Sequence, residues 1–179
     1  MNELALKDIY LYGVSMGGMI SQLIAINHPE LIKKLVLTSS CSNFNENNFI
    51  DWINLAQENK IEELVDCFCK LVYSNVTYKA IEPTLKDYAS SVSEKEIDNF
   101  IIYARAVANC NISNDICKIN IPVLILGSLK DKIISKEDLL FLNENIVNSE
   151  IYLYDDYSHA VYDEAVDIKE RILDFFNKK

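Results

Sequence analysis

A serine near the start of the chain has the setting of a catalytic nucleophile. The stretch Leu11–Gly18 reads LYGVSMGG and contains the pattern G-x-S-x-G centred on Ser15. An apolar run precedes the pattern and a helical periodicity follows it, which is the strand–turn–helix context in which such a serine is exposed above a sheet. Three of the four glycines of the chain lie here. We therefore interpret the pattern as a nucleophile turn rather than an ordinary glycine-rich loop.

The residue after this serine supplies a donor for acyl chemistry. If a helix begins directly after Ser15, the Met16 backbone N–H has no acceptor within the helix and can stabilise a developing oxyanion. The positive end of the helix dipole acts in the same direction. Gly17 and Gly18 are expected to let this helix pack closely against the preceding strand.

A serine hydroxyl needs a base, and the chain offers two histidines, His28 and His159. His28 ends the helix predicted after Ser15, and at about 1.5 Å per residue that helix carries it roughly 20 Å from the hydroxyl. His159 follows a predicted strand, and the carboxyl ends of parallel strands meet at the sheet edge where ligands bind. The sequence therefore predicts His159 as the general base.

A carboxylate must orient this histidine, and three aspartates are candidates. Asp131 follows a predicted strand in the segment LGSLKDK, so its loop opens at the same edge of the sheet. Asp155 and Asp156 are rivals that lie closer to His159 in sequence. Asp131 also completes the chain order Ser, Asp, His. We predict Asp131 as the orienting acid.

Four short β-branched or aromatic runs predict buried strands, and helical patterns lie between them. Alternation of strands with helices predicts an α/β fold with a parallel sheet covered on both faces. Met16 to Asn27 form one predicted helix, and the last helix has an apolar stripe. The strands are Ile9–Val14, Leu35–Thr38, Val123–Leu126 and Ile151–Tyr154, and the stripe is Ala165, Ile168, Ile172, Leu173 and Phe176.

The middle of the chain interrupts this alternation with amphipathic helices only. Residues 61–72 and 97–108 each place their apolar side chains on one face. Pro83 is expected to interrupt a weaker helix. We predict an all-helical insertion at 41–118 between two parts of an α/β core, 1–40 and 119–179.

The composition excludes several classes of function. The net charge is -10 and its acids are scattered, which is typical of solvated helix faces and makes nucleic acid an improbable partner. No apolar run approaches the roughly 20 residues of a membrane span, and the first residues lack the pattern of a signal peptide. We expect a cytoplasmic protein.

The five cysteines are odd in number and dispersed, as expected of reduced thiols. Cys67 and Cys69 lie two residues apart on a predicted helix, so they do not face each other, and neither histidine is near in sequence. The sequence predicts no metal site and no cofactor.

With these residues in place, the chain resembles the α/β-hydrolase superfamily, especially small capped serine hydrolases such as enol-lactonases, carboxylesterases and proline iminopeptidase-like enzymes. The resemblance rests on Gly13–Gly18, the strand Ile121–Gly127 with Asp131, and Ser158-His159. It implies cleavage of a small ester, lactone, thioester or amide through an acyl-enzyme on Ser15. It also implies that the helical insertion is a lid. An acyltransferase, in which an alcohol or amine replaces water, stays an alternative.

The chain departs from this family in front of the serine, because complete members place several strands before the turn. One oxyanion donor of the family comes from that missing segment, and losing such a donor typically costs about 10² to 10³ in rate. The strand Ile9–Val14 becomes an apolar open edge, which favours partners. We expect a homodimer, pairing with an N-terminal fragment, or poor solubility. A non-catalytic or partner-dependent fragment is the alternative function.

Overall fold

Four parallel strands form the sheet that carries the candidate site. The structure, a computed structural model, describes residues 6–44 and 47–178. The strands pair in chain order, each parallel to its neighbour. They are β1 (Ile9–Val14), β2 (Ile32–Thr38), β3 (Val123–Ser128) and β4 (Ser149–Tyr154). The predicted α/β fold class, with its parallel sheet, is confirmed.

Helices and short turns connect the strands along the chain. Short 3₁₀ turns at Pro29–Leu31 and Ile116–Lys118 precede β2 and β3. Within the described ranges, no helix combines the length and the apolar character needed to cross a membrane. In chain order the helices are α1 (Met16–Asn27), α2 (Asn47–Gln57), α3 (Ile61–Val72), α4 (Asn75–Ser91), α5 (Glu94–Ala108), α6 (Lys136–Asn145), α7 (Val161–Glu164) and α8 (Ile168–Asn177).

The two faces of the sheet have different covers. α1 packs over Gly13 of β1, and α6 packs over Gly127 of β3 through Leu139. The opposite face is covered by α7 and α8. Buried apolar side chains of β2, β3 and these two helices form one cluster there, which includes Val36, Leu124, Leu126, Val161, Ile168, Ile172 and Phe175. The loops that follow the strands therefore emerge at one edge of a sheet held from both sides.

β2 begins at Ile32 rather than at the predicted Leu35. The strand therefore includes Lys34, which is buried with only 8% of its surface exposed. Its Nζ donates to the backbone oxygens of Phe175 at 2.8 Å and Phe176 at 3.3 Å. These carbonyls end α8, where helix oxygens lack intrahelical partners and a cation is favourable. A lysine can therefore be buried here because a distant helix end accepts its hydrogens.

The last helix lies on the sheet through a face slightly rotated from the predicted stripe. Ile168 and Ile172 are buried as expected, but Phe175 is buried as well, while Leu173 is 59% exposed. The prediction for Leu173 is wrong. Residues three or four positions apart share a face of a helix, so Phe175 lies on the same side as Ile168 and Ile172. Leu173 directly follows Ile172 and therefore lies on a different side.

The chain divides into two compact units, one of them Met1–Asn43 with Ile112–Lys179 and the other Phe44–Asn111. The segments at 41–43 and 112–118 therefore group with the sheet, and the Ile112 N–H bonds the Ser42 oxygen at 2.9 Å. The unit Phe44–Asn111 consists of α2 to α5. Its role as a lid stays a prediction.

An aromatic cluster holds the helical unit together. The Trp52 ring lies 5.2 Å from that of Phe49 and 5.1 Å from that of Phe68, both edge to face.

Pro83 lies inside α4 and does not interrupt it, so the predicted interruption is wrong. Both Pro83 and Lys79, whose carbonyl loses its helical partner, are exposed, and water can satisfy that oxygen.

Close packing at the β1–α1 junction depends on two of its three glycines. A Cβ added at Gly13 would lie 2.6 Å from the Gly17 oxygen, and one at Gly18 would lie 2.5 Å from the Ser40 Cβ. A Cβ added at Gly17 would meet nothing within 4 Å. The prediction that Gly17 provides close packing is therefore wrong, and Gly18 alone fits it in α1.

These neighbouring glycines form a matched pair of test sites. Gly18→Ala gains helix propensity of about 1 kcal/mol but incurs about 1–3 kcal/mol of overpacking, so we expect a net loss of unfolding free energy of up to about 2 kcal/mol. Gly17→Ala should raise it by about 0.5–1 kcal/mol, because only the propensity changes. Urea unfolding followed by circular dichroism measures both. Midpoints that move in the same direction would contradict this packing.

Candidate active site

Ser15 occupies the turn between β1 and α1 in a conformation that L-residues rarely adopt. Its φ is 50° and its ψ is -121°. The Ser15 N–H donates to the Thr38 oxygen at 2.9 Å, and the Ser15 oxygen accepts the Gly18 N–H at 2.9 Å. Such strained backbone persists only where surrounding contacts determine it, and it concentrates at functional sites.

His159 bridges the serine and an aspartate. Its Nε2 lies 3.0 Å from Ser15 Oγ, and its Nδ1 lies 2.9 Å from Asp131 Oδ2. An ionised carboxylate can only accept, so Nδ1 donates to Asp131 and Nε2 keeps its lone pair for the serine hydroxyl. This is the arrangement in which a histidine can take the serine proton.

The loop after β3 holds the Asp131 carboxylate in place. Its Oδ1 accepts the backbone N–H groups of Ile133 at 2.8 Å and Ile134 at 3.0 Å. The side chain of Asp131 is 0% exposed and that of His159 is 5% exposed. Because a buried carboxylate is costly unless it is hydrogen-bonded, these donors fix both its position and its orientation.

The rival residues lie elsewhere. Asp156 is 81% exposed at its side chain and pairs with Lys130 at 2.6 Å, and Asp155 is also exposed. His28 caps the C-terminal end of α1 and lies 3.6 Å from the Glu30 carboxylate. The structure brings together Ser15, Asp131 and His159 and leaves these rivals apart from them.

Met16 is the first residue of α1. Among the described residues no acceptor bonds its backbone N–H, so this donor is available beside Ser15. The position agrees with the one expected for an oxyanion donor.

Two buried serines next to the site were not among the residues that the sequence singled out. Ser39 Oγ donates to the His159 oxygen at 2.8 Å, and Ser40 Oγ donates to the Ser15 oxygen at 2.9 Å. Both residues are fully buried. The available signal was their position directly after a buried strand, at the sheet edge where the candidate residues meet.

Cysteine and carboxylate side chains do not assemble into a metal site in the part of the chain that the structure describes. Cys67 and Cys69 are free thiols on α3, as is Cys110 beyond α5. Burial raises the pKa of both the Cys69 thiol and the Cys110 thiol. A raised pKa keeps these thiols protonated and weakly nucleophilic.

Comparison with known proteins gives relatives of this fold. A curated relative, 3-oxoadipate enol-lactonase 2 of Acinetobacter baylyi, is 20% identical over 152 residues, covering 83% of this chain and 56% of the relative. The chain thus spans a little over half the length of that relative.

Solved structures are similar over nearly the whole chain. MGS-M2, an α/β-hydrolase enzyme from a Medee basin deep-sea metagenome library, has a TM-score of 0.92 at 19% identity, covering 99% of this chain and 68% of that one. The enol-lactonase of Burkholderia xenovorans LB400 has a TM-score of 0.88 at 16% identity, covering 99% and 69%. At this identity the likeness establishes the fold.

A family model described as serine aminopeptidase, S33, matches residues 2–165. The match includes the serine, aspartate and histidine described above and covers far more than half of the chain. This chain therefore belongs to the serine aminopeptidase S33 family, within the α/β-hydrolase superfamily.

Proposed function

We propose that this chain carries the catalytic residues of a serine hydrolase that cleaves a small ester, lactone, thioester or amide through an acyl-enzyme. The observation that carries the proposal is the continuous hydrogen-bonded path from Asp131 through His159 to Ser15, with links of 2.9 and 3.0 Å. No cofactor enters this chemistry, since the nucleophile, the base and the orienting acid are all side chains.

The reaction has two halves. Ser15 Oγ bonds to the substrate carbonyl carbon as His159 Nε2 takes the hydroxyl proton, and the carbonyl electron pair moves onto its oxygen beside the Met16 N–H. When this intermediate collapses, the leaving group departs with the proton from His159. Water then attacks the acyl-enzyme with His159 as base, which releases the acid and restores Ser15.

The names of the relatives favour a carbonyl substrate of the lactone or ester class. The Acinetobacter relative and the Burkholderia structure are both enol-lactonases. A lactone is an ester closed into a ring, so one nucleophile and one oxyanion donor serve both. Small aryl esters and enol lactones are therefore the first substrates to test.

Ser15 should react as an activated nucleophile. A fluorophosphonate probe should attach covalently to Ser15 of the folded chain, because the probe reacts with serines whose proton is taken by a neighbouring base. Intact mass and peptide mapping locate the adduct. Ser15→Ala should show none. A folded wild-type chain that labels no faster than Ser15→Ala would overturn the enzyme proposal.

A second prediction separates the orienting acid from its rival. Asp131→Asn should slow labelling of Ser15 by on the order of 10³- to 10⁴-fold, because the amide donates to Nδ1 and favours the wrong tautomer. Asp156→Asn makes the same chemical change at an exposed ion pair and should leave the rate unchanged. Equal effects of the two changes would contradict the assignment of Asp131.

The alternative function, a chain that depends on a partner, is supported by the surface around β1. Within the described residues β1 pairs with β2 alone. Tyr10 and Tyr12 are exposed on one side of the sheet, and Met16, Ile20 and Leu23 are exposed on α1 on the other. An unpaired strand with apolar surface on both sides is a site for protein association.

We propose that a second copy of the chain occupies this surface when nothing else covers it, and that a segment extending the sheet would compete for it. Such a segment would also be a source of the second oxyanion donor. Without that donor we expect hydrolysis about 10² to 10³ slower than with both.

The isolated chain should therefore self-associate in a concentration-dependent manner. Ile20→Lys adds a charge to a side chain that is 49% exposed on α1, and it should weaken association. Val147→Lys, at a well exposed site before β4, is the control. Sedimentation velocity from micromolar to roughly 100 µM measures the equilibrium, a range in which weak specific dimers dissociate. A monomer throughout would overturn the surface proposal.

A further inference from the structure

Two consecutive serines at the end of β2 hold the backbones of two different candidate residues. Ser39 Oγ donates to the His159 oxygen at 2.8 Å, and Ser40 Oγ donates to the Ser15 oxygen at 2.9 Å. Ser15 and His159 are 144 residues apart in sequence. The adjacent serines therefore link the nucleophile turn and the histidine loop to one point of the chain.

The backbone at this point has a conformation suited to such a link. Ser39 has a φ of 47°, in the left-handed region that non-glycine residues seldom adopt. Its N–H donates to the Leu126 oxygen of β3 at 2.9 Å. The bend is thus fixed by the neighbouring strand, and it lies between the strand that precedes Ser15 and the strand that precedes Asp131.

A buried glutamine ties α1 to the same segment. Gln22 is fully buried, and its Nε2 donates to the Cys41 oxygen at 3.0 Å and lies 3.5 Å from Ser40 Oγ. The absence of a Cβ at Gly18 leaves the space that the Ser40 side chain occupies. Ser40 is therefore confined by the helix that carries Ser15 at its start.

We infer that Ser39 and Ser40 are positioning residues that set the distance between Ser15 Oγ and His159 Nε2. Neither hydroxyl contacts a reacting atom, because each bonds a backbone oxygen. They act by preventing the histidine loop and the nucleophile turn from moving apart. Misplacement by about 1 Å can slow a reaction by about 10²-fold. The inference rests on the proposed function, in which this distance governs proton transfer.

The test compares three serines in one segment. Ser39→Ala and Ser40→Ala remove the two linking hydroxyls. Ser42→Ala is the matched control, because Ser42 is buried in the same stretch and its Oγ lies 3.0 Å from Ser113 Oγ rather than near the site. Ser39→Gly removes the hydroxyl while relieving the left-handed backbone, so it reports on the hydroxyl if Ser39→Ala fails to fold.

The first readout is the tautomer of His159 in protein labelled with ¹⁵N-histidine, with the exposed His28 as an internal reference. In the wild-type chain the proton should stay on Nδ1, held by Asp131. In both Ser39 variants the ring should average between tautomers, while Ser42→Ala keeps the wild-type spectrum. A merely structural role of Ser39 would lower stability without changing the tautomer in the folded state.

The second readout is the rate of fluorophosphonate labelling of Ser15. We expect a 10- to 100-fold loss in the Ser39 and Ser40 variants and no loss in Ser42→Ala. Wild-type rates and tautomer in both Ser39 variants, or equal losses in Ser42→Ala, would overturn the inference. A wild-type chain that does not label, but whose fixed tautomer is lost in Ser39→Gly, would support the inference and overturn the proposed function.

Discussion

The hydrogen bond between His159 and Asp131 is the contact on which the arrangement of the site depends. It determines which ring nitrogen carries the proton, and so whether the other can accept from Ser15. A carboxylate as buried as that of Asp131 needs its own donors, and the Ile133 and Ile134 N–H groups supply them. The loop after β3 therefore folds around the Asp131 carboxylate. That carboxylate in turn sets the orientation of the His159 ring, which belongs to the loop after β4.

Most of the fold and the three candidate residues were predictable because their signals are local. A β-branched run, a G-x-S-x-G pattern and a polar loop after each strand can be recognised in the sequence without knowledge of the tertiary contacts. The buried polar side chains that the sequence did not reveal share a different cause. Lys34 is buried because the end of α8 accepts its hydrogens, and Ser39 and Ser40 bond backbone oxygens far along the chain. In each case the partner is distant in sequence, so composition alone indicates a polar surface.

The three candidate residues lie in a single compact unit, Met1–Asn43 with Ile112–Lys179. Their mutual distances are therefore set within that unit. The helical unit Phe44–Asn111 has its own aromatic core around Trp52 and contains none of these three residues. This separation fits a superfamily in which one set of catalytic residues serves many substrates.

Ser15 follows β1, which within the described residues pairs with β2 alone, so this serine stands at the end of an edge strand with a single neighbour. Contacts from β2 and the residues after it compensate for this. The Thr38 oxygen accepts the Ser15 N–H, and Ser40 donates to the Ser15 oxygen. Ser39 Oγ donates instead to the backbone oxygen of His159. Because these three consecutive residues contact both Ser15 and His159, the distance between the two depends on the end of β2 more than on the open edge of β1.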